Sequence, residues 1–101
     1  MKPINVRSPR EHWMLIEVLY DGGDDGGDAL AVGEWDGERR LAARWNGSSK
    51  EIGNPQSRGL PTWFILHPRY NRAVLDSFSP KELPSNKKMI AKALLGIEAE
   101  R

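Results

Sequence analysis

A chain of 101 residues, with 15 Lys and Arg against 14 Asp and Glu and a net charge of +1, has the size of one small domain. It has neither the basic surplus of a nucleic-acid binder nor the acidity of a DNA mimic. Its 39% apolar content, with four Trp, excludes a disordered chain, and the lack of any Cys excludes disulfides, thiolate metal sites and thiol nucleophiles.

No apolar run approaches the roughly 20 residues of a membrane span. The start, Met1-Lys2-Pro3-Ile4-Asn5, lacks a secretory apolar segment, so a cytoplasmic protein is expected. Residues 1–11, with Pro3, Pro9, Arg7 and Arg10, read as an arm or edge segment of a single domain over 1–101. From His12 to Tyr20 both alternate sets, Met14-Ile16-Val18-Tyr20 and Trp13-Leu15-Glu17-Leu19, are largely apolar. That pattern predicts a strand covered on both faces, and so a central one. The following Asp21-Gly22-Gly23-Asp24-Asp25-Gly26-Gly27-Asp28 cannot hold regular structure and reads as a solvated loop. It lacks the alternating ligands and closing Glu of a calcium loop.

Asp36-Gly37 between strands at 29–35 and 38–45 is a two-residue hairpin signal, because both turn positions need positive φ. The resulting register places Leu30, Val32, Leu41 and Ala43 on one face, which is the core face. The other face carries Ala29, Ala31, Gly33 and Ala42 as a flat floor, with Trp35, Arg40 and Arg44 along it. Such a floor suits a stacking or protein-contacting surface, and it equally suits close packing by a helix or by the arm.

Residues 46–61 form a long connection rich in Gly, Ser, Asn and Pro. It is either a binding loop presenting Asn54, Gln56, Ser57 and Arg58 or a self-packed loop. The apolar run between Pro61 and Pro68 predicts a fourth strand over 62–67. Beyond it, Tyr70, Val74 and Phe78 at four-residue spacing predict a helix over 69–78, with a short strand at Ala73-Val74-Leu75 as the alternative. Ser79 and Glu82 match a capping box. Ser85 is then placed as the cap of a final helix over 86–95, stopped by Gly96. A helical wheel puts Met89, Ile90, Ala93, Leu94 and Ile97 on the sheet, with Lys87, Lys88 and Lys92 facing away around Leu95.

The fold class expected is therefore α+β: an antiparallel sheet of three or four strands with one or two C-terminal helices on one face. Two functions from different classes fit it. The preferred one is a non-catalytic binding module that uses Trp35, Arg40 and Arg44, the 46–61 loop, or both. Its partner is a protein or a second copy of the chain; nucleic acid has weak support at this net charge. The alternative is a small-ligand binder or minor enzyme with a pocket between the 46–61 loop and the helices, built from Arg58, His67 and Tyr70. No catalytic residue, metal ligand or cofactor is assigned. A Ser57–His67–Asp76 triad lacks any local signature, and two His without Cys make a poor zinc site.

Overall fold

The computed structural model describes residues 1–97; the last four positions of the domain expected over 1–101 lie outside the described residues. A 3-10 turn at Pro3–Asn5 leads into β1 (Trp13–Asp21), β2 (Asp28–Trp35) and β3 (Glu38–Trp45). Three two-residue strands follow, β4 (Gln56–Ser57), β5 (Leu60–Pro61) and β6 (Phe64–Ile65). A 3-10 turn at Pro68–Tyr70 then runs into α1 (Asn71–Asp76), and the chain closes with α2 (Ser85–Leu95). The main sheet is antiparallel in the order β1-β2-β3-β6, with β4 and β5 as a separate hairpin. The architecture is α+β, with four strands and two C-terminal helices, as the sequence predicts.

The hairpin forms in the predicted register, Leu30 opposite Ala43, Val32 opposite Leu41 and Trp35 opposite Glu38. Asp36 and Gly37 both take positive φ, 49° and 88°, the turn geometry that matches the twist of the strands it joins. Leu19, Leu30, Val32 and Leu41 pack with Leu75, Leu83 and Ala91, so the helices cover the face predicted as core. The capping box forms too: Ser79 N donates to Glu82 Oε1 at 2.9 Å and Glu82 N donates to Ser79 Oγ at 3.3 Å.

The other face is also covered. Val6, Trp13, Leu15 and Trp63 pack over Ala29, Ala31 and Ala42, with Trp63 Nε1 donating to Val6 O at 2.7 Å. A Cβ on Gly33 would fall 2.3 Å from the Trp13 ring and 2.5 Å from Met14 O, so the small floor residues exist to let the Trp13 indole approach. Through Val6 and Met1 the N-terminal segment is thus part of the core packing, although most of residues 1–11 stay exposed.

Four expectations need correction. β1 lies at the sheet edge, not at its centre: Val6 and Trp63 cover its Trp13 and Leu15 on one face, Leu75, Leu83 and Ala91 cover its Leu19 on the other, and Met14 is left 54% exposed. Its pairing with β2 shifts between Leu15 and Glu17 and again between Val18 and Tyr20; such bulges twist an edge away from further pairing. The strand over 62–67 pairs only at Phe64 and Ile65, since Trp63 is drawn into the opposite core. The helix over 69–78 splits into a 3-10 turn and the six-residue α1, with no strand at 73–75. Finally, α2 is capped by Pro84 backbone, with no cap bond from the Ser85 side chain, and it is rotated relative to the wheel. Leu94 and Ile97 pack on the core as the wheel places them, but Ala91 and Leu95 join them, whereas Met89 and Ile90 are 71% and 44% exposed and Ala93 is exposed. Lys87, Lys88 and Lys92 are half-buried instead of facing fully away, and Lys88 Nζ lies 3.8 Å from Asp76 Oδ1.

Candidate functional groove

The surface selected from sequence divides into residues that the fold consumes and residues that it presents. Arg44 is consumed. It is 2% exposed, its Nη1 donating to Thr62 O and its Nη2 to Ile52 O, so its guanidinium ties the 46–61 connection to the sheet. Burial lowers its pKa from the ordinary arginine value, yet an arginine remains charged at any physiological pH. As a contact residue it is a correction. Arg40 is half-buried and pairs with Glu38 at 2.7 Å, which leaves Trp35 without the two free arginines expected beside it.

The long connection divides as well. Residues 46–55 are held against the rest of the fold: Trp45 and Asn54 form an isolated bridge, and the buried Asn46 donates to Asp21 Oδ1 and Gly23 O. Asn54 is exposed and Gln56 folds its amide back to Gly53 O at 2.8 Å. Ser57 and Arg58, by contrast, stand on the β4–β5 hairpin, whose two-residue turn is Arg58-Gly59. Arg58 takes φ 52° and Gly59 takes 77°. This is the geometry a two-residue hairpin turn demands, as at Asp36-Gly37, and it leaves the Arg58 side chain at the hairpin's exposed tip.

What this hairpin overlooks is an open groove of about 720 Å³. One wall is the chain at Ser8, Pro9, Arg10 and Glu11, and the other is Ser57, Arg58, Leu60 and Thr62. Trp35, Trp63 and Ile65 line it from the sheet and β6. Leu60 is 57% exposed, and Arg10 and Arg58 are exposed at the rim. Neither arginine makes an ion pair or side-chain hydrogen bond with any described residue. Trp35 is braced from behind by His12, stacked on it with ring centroids 5.3 Å apart. His12 Nδ1 lies 2.8 Å from Asp36 Oδ1, and that hydrogen bond, aided by the Asp36 charge, raises the His12 pKa above 6.5.

Arg58 does not join His67 and Tyr70, neither of which lines the groove. His67 instead caps the 3-10 turn, its Nδ1 accepting from Arg69 N at 3.1 Å, with Tyr70 edge-on to its ring. Sequence reasoning missed the whole 8–11 wall of the groove, Arg10 above all, and the part played by Thr62 and Ile65; Leu60 was included only as part of the 46–61 loop and Trp63 only as its flank. Arg10 was visible only as part of an arm, and nothing local says that residues 8–11 run alongside 57–62. Among the described residues no group of three or more His, Asp or Glu is placed to hold a metal ion, and no helix is long and apolar enough to cross a membrane. No family model, no curated protein and no solved structure matches this chain.

Proposed function

We propose that the protein is a non-catalytic binding module that holds a segment of a partner protein in the groove between residues 8–11 and the 56–61 hairpin. The observation that carries this reading is the exposed Arg58 at the rim of a trough lined by Trp35, Trp63, Leu60 and Ile65. Trp and Arg are the residues that most often anchor protein interfaces. An open trough with two walls accepts a chain passing through it, whereas a small-molecule site closes around its ligand. Two rim arginines against the single Glu11 select a segment whose apolar anchor is flanked by Asp or Glu. The near-zero net charge keeps protein ahead of nucleic acid as partner. A cytoplasmic setting goes with the reading, since a Cys-free chain takes no disulfide from an oxidising compartment.

The test is selection of a displayed random-peptide library on the protein. Enriched peptides should combine aromatic or aliphatic residues with carboxylates. Arg58→Glu and Leu60→Ser, both at exposed positions, should each weaken them about tenfold or more without moving the unfolding midpoint. Peptides that bind both variants unchanged would refute the groove. The volume alone suits the small-ligand reading, falling inside the range of about 300–1,000 Å³ for such sites. A fragment screen that shifts the Trp35 and Trp63 indole resonances while peptides do not would transfer the site to that reading.

A further inference from the structure

Away from the groove, on the helix-covered face of the sheet, two large aromatic side chains are left in water. Trp45 ends β3 and Phe64 opens β6, and each is 57% exposed. The registers put them together: Ala43 faces Phe64, and Asp28 stands directly opposite Trp45. Side chains alternate along paired strands, so Asp28, Ala43, Trp45 and Phe64 project from one face. They line a shallow depression of about 180 Å³ together with Arg44. The Arg44 side chain leaves β3 on the opposite face, beside Ala29, where its guanidinium is held by the Ile52 and Thr62 carbonyls.

The depression has the size of one side chain, and its lining decides which kind. An aliphatic guest would bury the Asp28 carboxylate unpaired, and an unpaired carboxylate resists leaving water. An acidic guest would meet Asp28 as a like charge. A cation gains twice: the faces of Trp and Phe attract it through their quadrupoles, and the carboxylate accepts its hydrogen bonds. Asp28 has no ion pair or side-chain hydrogen bond with any described residue. The surroundings are acidic as well. The Tyr20 phenol, set on the same face opposite Leu30, is pushed above its ordinary pKa by burial first and then by Asp28, Glu82 and Asp21.

We propose that Asp28, Trp45 and Phe64 form a second contact site, which takes an arginine side chain of a protein partner. Guanidinium is favoured over ammonium because its plane stacks on an indole while its fork meets a carboxylate. The site is separate from the groove: it lies on the other face of the sheet and takes the opposite charge.

Two blocked tripeptides test it, acetyl-Gly-Arg-Gly-amide and acetyl-Gly-citrulline-Gly-amide, titrated while the Trp45 indole N–H resonance is followed. Citrulline keeps the shape and removes the charge. The arginine peptide is expected to shift Trp45 saturably in the millimolar range, and the citrulline peptide to bind at least threefold more weakly. Asp28→Asn, at an exposed strand end, should weaken the arginine peptide about three- to tenfold. Equal shifts from the two peptides, an unchanged affinity in Asp28→Asn, or arginine shifts at Trp35 in place of Trp45 would each overturn the proposal.

Discussion

Arg40 and Arg44 leave β3 on the same face, four residues apart, and the fold treats them in opposite ways. Arg44 supplies donors to the carbonyls of Ile52 and Thr62, neither adjacent to it in sequence, and is buried there. Arg40 pairs with Glu38, itself 69% exposed. Arg44→Met should therefore cost about 2–4 kcal/mol, from buried carbonyls stripped of their partner and lost charge-assisted bonds. Arg40→Met should change stability by about 1 kcal/mol at most, as surface pairs do. Urea unfolding of the two variants measures the difference, and equal costs would contradict the assignment. Alternation along a strand makes two such arginines indistinguishable, because what separates them is contacts eight and 18 residues away. His12 gives a residue-scale prediction with a sign. Its folded pKa lies above 6.5 because Asp36 accepts from its ring, so the pair contributes fully below pH 6.5 and its contribution fades as pH rises through the folded value. The His12 ring protons should titrate above 6.5 in an NMR series, and Asp36→Asn should bring the midpoint down. The stability gap between that variant and the parent should narrow on the alkaline side.

Elements show which sequence signals are local and which are not. The turn and register of the hairpin were legible to the residue, and its first strand to within one residue, Asp28 joining it, because a two-residue turn and a period of two are both local facts. The identity of its second face was not, since Ala29, Ala31, Gly33 and Ala42 read alike as a docking floor or as a floor for Trp13. Only the course of residues 6–13 decides between them. Helix α2 was legible in its span and its stop at Gly96, φ 71°, but not in its rotation. Apolar residues at 89, 90, 91, 93, 94 and 95 surround most of the helix, and the wheel has no narrow stripe to follow. The rotation is testable. Met89→Ser and Ile90→Ser should each cost about 0.5–1 kcal/mol or less, being exposed. Ala91→Leu should cost about 1–3 kcal/mol by overpacking against Leu19, Leu30 and Leu41. A large loss at Met89 would mean that the wheel had been right. The groove divides in the same way: Ser57 and Arg58 were legible as loop chemistry, whereas their meeting with Arg10 and Trp35 depends on where the first eleven residues lie.

At the scale of the molecule, a sheet with two apolar faces needs two covers, and a chain this short has helices for only one of them. The N-terminal residues serve as the other. Val6 is fully buried and Pro3 nearly so, and Trp63 Nε1 bonds to Val6 O, joining the start of the chain to β6. Burying a valine is worth about 1.5–3 kcal/mol and the indole bond about 0.5–1.5 kcal/mol, against total stabilities of about 5–15 kcal/mol for domains of this kind. Deleting residues 1–6 should therefore remove a large share of the stability and leave Trp13 and Trp63 exposed to solvent, visible as a red-shifted tryptophan emission. The milder Val6→Ala, costing about 1.5–3 kcal/mol, separates packing from binding. The Ser8–Glu11 wall follows directly from Val6, so loosening that anchor should weaken groove-binding peptides several-fold even where the variant stays folded. The distant Trp45 site should keep its affinity for the arginine peptide. If Val6→Ala left peptide binding unchanged, residues 8–11 would hold their place without the anchor. The groove would then rest on the 56–61 hairpin alone, with the arm as cover and nothing more.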